Sequence, residues 1–347
     1  MLVFWHDFLS SAVVRTFLAI HARLYLVALF VPALYALRRL LNSNKKGKAA
    51  QYAFCFFLVA VFSVGTQGAL HMVDRMSPHI YDPAICFVES HSFLSVPWLI
   101  DYFYKISKVS YAIFALIYDC LLLLVIVASS SEILYAPTSV KNNLLVRFAI
   151  GGLLSIPLYI ALPAIGPVYY ACGGFPYKFP ATLCLHGFQV GFPDSIDRNS
   201  MPSLHATWVI LCFLALRHSP LWHRLLGALY VAITFIFTLG IGYHYLLDWV
   251  VALPLILFIR ALTSDYPLTG IRFFSIVFGA LNILAWIAIL RHIELFRTLS
   301  WFLDIMIIMT IIAPIYLELR LTRGEAVQPR RRNVAASTLV NNHAAGT

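Results

Sequence analysis

Apolar runs close to twenty residues long recur along this chain, separated by short polar or basic breaks. A helix needs about 20 apolar residues to cross the hydrocarbon core of a bilayer. The fold class expected is therefore an all-α polytopic membrane protein. Composition agrees, with 61% hydrophobic and 12% charged residues, against about 25% charged in a soluble domain. Mean hydropathy is +0.82. Several runs are too long for a merely apolar soluble core.

Eight or nine spans are expected. One ends near Leu37, and the others cover about 50–68, 109–129, 144–163, 203–217, 223–241, 244–262, 269–290 and 298–318. Residues 1–22 read either as an interfacial amphipathic helix or as the start of the first span. No cleavable leader is expected there, since His6, Asp7, Arg15 and Arg23 interrupt any compact apolar region. The segment 69–106 is more polar, carrying Asp74, Asp82, Glu89 and Asp101, and its end, Leu94–Tyr104, reads as lying along the membrane surface. A long loop, 164–202, is rich in Gly, Pro and Tyr. The tail from Thr322 is polar, carries Arg330, Arg331 and Arg332, and reads as disordered. Four regions follow: 1–49, an N-terminal helix and basic loop; 50–262, a core; 263–320, two C-terminal spans; and 321–347, the tail.

Basic residues assign the sides. With nine spans and the N-terminus outside, sixteen of the 25 Lys and Arg fall in one set of loops and seven in the other. Cytoplasmic loops carry the excess, so loop 164–202 and the turn at 242–244 face the periplasm, or a lumen in a eukaryote. The host membrane would be a bacterial inner membrane, or the Golgi or ER of a eukaryote. The formal net charge of +10 is explained by these loops and calls for no nucleic acid.

Two stretches carry chemistry. Ser200–Ala206 reads Ser-Met-Pro-Ser-Leu-His-Ala, and Gly242–Asp248 reads Gly-Tyr-His-Tyr-Leu-Leu-Asp. His205 and His244 are 39 positions apart, room for two spans and a tight turn, so both return to one membrane face. Asp248 follows His244 by four residues, one helical turn. Pro202 suits a first helical turn and Ser200 an N-cap. A helix start there offers N–H groups and a positive dipole end to phosphate oxygens. Ser203 adds a hydroxyl and Arg198 a bidentate cation. A carboxylate on one ring nitrogen of His244 fixes the tautomer and makes the other nitrogen a better nucleophile. Gly240 and Gly242 allow close backbone approach just before it. Taken singly, each stretch also fits a capped helix or a structural His–Asp pair.

Arg198–His205 together with Gly242-Tyr243-His244-Tyr245-x-x-Asp248 resembles the type 2 phosphatidic acid phosphatase (PAP2) superfamily, over roughly residues 50–262. The branch it looks most like includes the inositol phosphorylceramide synthases. The resemblance implies a six-helix catalytic core with extra N- and C-terminal spans. It also implies His244 as a nucleophile forming a phosphohistidine, Asp248 as its orienter and His205 as general acid, with no metal and no cofactor. The implied partners are a lipid phosphate or phospholipid, such as a prenyl phosphate, and for a transferase a lipid alcohol acceptor.

Two features of many members are missing. Phe237 and Thr238 stand where a Ser-Arg pair precedes the second motif, and no Lys-x6-Arg-Pro pattern is found upstream. Arg198, Lys178, Tyr169 and Tyr170 are then the candidates for meeting phosphate charge, although the tyrosines also fit an interfacial aromatic belt. The missing elements lean towards transfer, as in the synthase-like branch, rather than hydrolysis. A transporter would also fit the topology, but no repeated half with broken helices is seen. Asp119 and Asp304 fall within expected spans and either line a polar path or pair with a neighbouring helix. Cys172 and Cys184 would pair if their loop faces an oxidising compartment. His71, His79 and His91 suggest no metal triad.

Overall fold

The computed structural model describes residues 79–94, 97–135, 143–171, 175, 198–268 and 270–344. The first two expected spans, the basic loop after them, and Lys178, Cys172 and Cys184 lie outside the described residues. Eleven α-helices follow in the described residues: α1 Asp82–Ser90, α2 Pro97–Val109, α3 Tyr111–Asp119, α4 Leu121–Tyr135, α5 Leu144–Ala161, α6 Pro167–Tyr170, α7 Leu204–Ala215, α8 Leu221–Ile241, α9 Leu246–Thr263, α10 Ile271–Arg291 and α11 Ser300–Ala344. No strand occurs among them. The protein is an all-α, multi-pass membrane protein.

Five of these helices are long and apolar enough to cross a membrane: α5, α8, α9, α10 and Ser300–Glu325 of α11. The span expected at 109–129 is instead two helices, α3 and α4, bent by 49° at Cys120. Counted as one, they make a sixth. The span expected at 203–217 is α7, 12 residues, or about 18 Å at 1.5 Å per residue. It is short because Ser203 caps one end and the Leu216–His218 turn, followed by Pro220, stops the other. Leu94–Tyr104, read as a surface segment, contributes to α2, which packs against α8. The tail from Thr322, read as disordered, continues α11 to Ala344. Its alanines, leucine and arginines are good helix formers, and an existing helix removes the nucleation cost.

The bundle is built around α9. Between Asp248 at its start and Arg260 near its end this helix is apolar all round, which suits it to burial rather than to a lipid boundary, and it packs against α1, α5, α7, α10 and α11. One core joins α4, α5, α7 and α9 through Leu124, Phe148, Leu211 and Ile259. A second joins α1, α9, α10 and α11 through Ile85, Val251, Trp286 and Leu303. Several charged groups inside the bundle are paired. Arg147 and Glu132 meet at 3.3 Å. Arg260 bridges Glu318 at 3.0 Å and Glu325 at 3.1 Å, which fastens α11 to α9. These pairs gather at the end of α9 opposite His244.

Candidate active site

His244 lies in the tight connection between α8 and α9. Helix α8 ends at Gly242, whose φ of +80° is a left-handed cap that favours glycine. A Cβ at Gly242 would also press on the Phe175 ring at 2.9 Å, and one at Gly240 on the Phe103 carbonyl oxygen at 2.5 Å. The close approach expected of both glycines is therefore present.

Asp248 reaches His244, but not by one turn of a shared helix. α9 begins after Tyr245, so His244 precedes it and Asp248 occupies its third position. The carboxylate folds back over the helix start. Its Oδ2 accepts the Tyr245 N–H at 2.8 Å, bonds His244 Nδ1 at 3.2 Å and accepts the Ser200 hydroxyl at 2.5 Å. An acidic side chain at the third helical position that takes the N-cap amide is a capping interaction, and here the same oxygen holds the imidazole. The Ser200 carbonyl also lies 3.0 Å from Nδ1. Asp248 is fully buried and His244 is 6% exposed.

The first motif is used differently from expectation. Ser203, not Ser200, caps α7, its Oγ accepting the Ala206 N–H at 3.2 Å. Ser203 is fully buried, and its oxygen is engaged by the helix start, which leaves its O–H as the group that can still donate. The Leu204 backbone is bonded by the buried phenol of Tyr159. First-turn N–H groups expected to cradle phosphate are thus partly occupied from within. Ser200 is freed from capping by the Met201–Pro202 turn and becomes a ligand of the His244–Asp248 pair.

His205 is the second residue of α7 and half-buried. Its Nδ1 lies 2.9 Å from the Tyr118 hydroxyl, and the two rings stack with centroids 4.1 Å apart. His205 and His244 are close enough to interact electrostatically. In each ring Nδ1 is engaged, and among the described residues Nε2 has no hydrogen-bond partner. The His244 ring is thus held at Nδ1 by a carboxylate and the His205 ring at Nδ1 by a phenol.

The remaining candidates divide. Arg198 is half-buried two residues before Ser200. Tyr169 is 42% exposed, with its ring parallel to Tyr243 at 6.4 Å. Tyr170 is turned into the second core and packs with Met201 and Tyr245, because only one face of the short α6 can look outward. Phe237 and Thr238 are buried and serve packing, Thr238 accepting the Trp249 N–H at 3.1 Å. Asp304 accepts the Phe93 N–H at 3.0 Å and so ties α11 to the end of α1. Asp119 is exposed at the end of α3.

Sequence reasoning missed Tyr118 and two acids of α1. Asp82 Oδ1 accepts the Tyr245 hydroxyl at 2.9 Å, and Glu89 Oε1 accepts the Leu247 N–H at 2.7 Å. Tyr118 carried a signal, since it sits beside Asp119 in an otherwise apolar span. The two acids carried none beyond their charge. No group of three or more His, Cys, Asp or Glu suited to a metal occurs among the described residues.

A family model described as the PAP2 superfamily matches residues 83–262, just over half of the chain. No curated protein and no solved structure matches it.

Proposed function

The chain belongs to the PAP2 superfamily, and from that premise we propose an integral-membrane phosphatase or phosphotransferase in which His244 attacks phosphorus, Asp248 orients it and His205 is the general acid. The superfamily's activity is of the phosphatase and phosphotransferase type. One observation carries the residue roles: both histidines are held at Nδ1, by Asp248 and Tyr118, with Nε2 left for chemistry.

His244 Nε2 forms the N–P bond as the P–O bond to the lipid alcohol breaks. The leaving oxygen takes the proton from His205 Nε2. The positive charge that develops on the His244 imidazole is met by the Asp248 carboxylate at Nδ1, which is where a fixed anion lowers the barrier. Neutral His205 then accepts a proton from water or from an acceptor hydroxyl. That oxygen attacks phosphorus, and His244 is released.

The substrate class is a phospholipid or prenyl-phosphate head group at the non-cytoplasmic face. The placement of charge supports that face: Arg147, Arg217, Arg224, Arg260, Arg272, Arg320 and Arg323 lie towards the end opposite His244, as cytoplasmic residues should. A second reading is transfer to a lipid alcohol, as in an inositol phosphorylceramide synthase. It is favoured by Phe237 and Thr238, which are apolar or buried packing residues where a phosphatase of this kind would hold a Ser-Arg pair.

The test is a product assay on purified protein in detergent. Labelled phosphatidic acid, prenyl pyrophosphate and phosphatidylinositol would each be supplied with and without ceramide or diacylglycerol. Free phosphate lost in His244→Ala supports hydrolysis, and a new acceptor-dependent lipid lost in the same variant supports transfer. Turnover that survives His244→Ala refutes the site.

A further inference from the structure

Helix α1 touches none of the reacting groups, yet its two acids end on the segments that hold them. Asp82 is fully buried. Its carboxylate accepts three donors: Ile165 N–H at 2.9 Å, Gly166 N–H at 2.9 Å and the Tyr245 hydroxyl at 2.9 Å. Tyr245 is the residue between His244 and α9, and its own N–H is bound by Asp248.

The connecting segment Pro163–Gly166 is the second structure that Asp82 holds. The Ala164 carbonyl accepts the Ser200 N–H at 2.9 Å, and Ser200 is the residue bonded to both His244 and Asp248. Gly166 lies against the Tyr243 carbonyl, which a Cβ there would meet at 2.4 Å. Just beyond, the Val168 N–H donates to the Gly242 carbonyl at 2.9 Å. Asp82 therefore fixes both walls of the His244 turn.

Glu89 lies seven residues on, two turns along the same helix. It takes the Leu247 N–H and also bonds the Leu246 backbone. The Asp248 N–H goes to the Tyr245 carbonyl at 3.2 Å. The first four N–H groups of α9, unsatisfied in any isolated helix, are thus all assigned. The helix start is saturated by protein, and its rotation about its axis is set by α1. α1 is held in turn by α11, through Asp304 and Phe93.

We propose that Asp82 and Glu89 are positioning residues that set the orientation of the His244–Asp248 pair, acting through Tyr245, the 164–166 segment and the first turn of α9. The proposal rests on the reading of His244 as nucleophile. A displacement of a reacting group by about 1 Å costs roughly 100-fold in rate, so loosening this frame should appear in kcat while substrate contacts, and KM, stay as they are.

The experiment measures kcat and KM with labelled phosphatidic acid, prenyl pyrophosphate and phosphatidylinositol as probes, well below each variant's melting temperature. Asp82→Asn places an amide N–H against the donors of Ile165 and Gly166. Tyr245→Phe removes a single hydroxyl from the same junction. Both should lower kcat by about tenfold or more, with KM within about twofold. Glu89→Ala should do likewise, and Glu89→Gln, which keeps one acceptor oxygen for Leu247 but not the second, should recover part of the lost kcat. If Asp82→Asn does not fold, Tyr245→Phe decides alone. Folded variants with wild-type kcat would overturn the inference while His244→Ala remains inactive. No turnover by the wild type, or turnover by His244→Ala, would instead overturn the reading of the site, and the inference with it.

Discussion

Replacing Asp248 by Asn is the substitution whose cost can be worked from the geometry. The amide oxygen can still accept from Tyr245 N–H, Ser200 and His244 Nδ1, so the fold of the turn is kept. What is lost is the negative charge 3.2 Å from the imidazole. At that separation and an effective dielectric of about 20, a full charge pair is worth about 5 kcal/mol. The amide dipole returns part of this, which leaves about 3 to 5 kcal/mol missing when the imidazole becomes cationic during attack. At 1.36 kcal/mol per tenfold, kcat should fall by roughly 100- to 10,000-fold. Folding should suffer less. Asp248 Oδ1 is buried with no partner, so the new amide N–H2 lands where nothing accepts it, at a cost of about 1 to 3 kcal/mol. The assay is kcat on phosphatidic acid, with melting followed in the same detergent. A folded Asp248→Asn protein with kcat within tenfold of wild type would refute the assignment of the charge.

Three further outcomes are expected. Tyr118→Phe removes the hydroxyl at His205 Nδ1; a neutral hydrogen bond is worth about 0.5–1.5 kcal/mol, so kcat should drop up to about tenfold, and its pH profile should shift on the limb governed by the acid. Gly166→Ala sets a side chain at φ +90° and 2.4 Å from the Tyr243 carbonyl oxygen, where strain of about 1–3 kcal/mol adds to the collision, so the melting temperature should fall and activity with it. Burial raises the Asp82 carboxyl to about 6 and the Glu89 carboxyl to about 8. Both folded values lie above the unfolded ones, so their contribution to stability is complete in acid and is lost as pH rises, through about 6 for Asp82 and about 8 for Glu89. Melting temperature should decline from about pH 4 to about pH 8, and Glu89→Gln should remove the part of the decline between about 6 and 8. A decline between about 6 and 8 that is unchanged in Glu89→Gln would contradict this.

The elements that the sequence declared were those encoded locally. Hydropathy marked α5, α8, α9, α10 and α11 because a bilayer imposes a length on each run. The two histidine motifs stood out because ionisable groups are rare among such runs, and Gly242 announced the turn between them. What hydropathy could not declare was direction around each helix axis. Tyr169 and Tyr170 are neighbours with the same chemistry, yet one faces outward and the other fills the core. Ser200 and Ser203 both suit a cap, and only the path of the turn at Pro202 decides which serves. The bend at Cys120 has no proline or glycine to mark it. Asp82 and Glu89 meet Tyr245 and Leu247 across more than 150 residues of chain, and no local pattern encodes such a contact. Their charges looked like loop polarity, and the fold uses them as caps.

The central claim is that phosphate passes through His244. Rapid quenching of the wild-type protein with a phosphorus-labelled substrate that it turns over, followed by proteolysis under alkaline conditions and mass spectrometry, tests it directly. An acid-labile, base-stable phosphate should appear on the peptide containing His244. The adduct should be absent from His244→Ala and should form more slowly in Asp248→Asn. A labelled phosphate on any other residue, or turnover by His244→Ala, would contradict it.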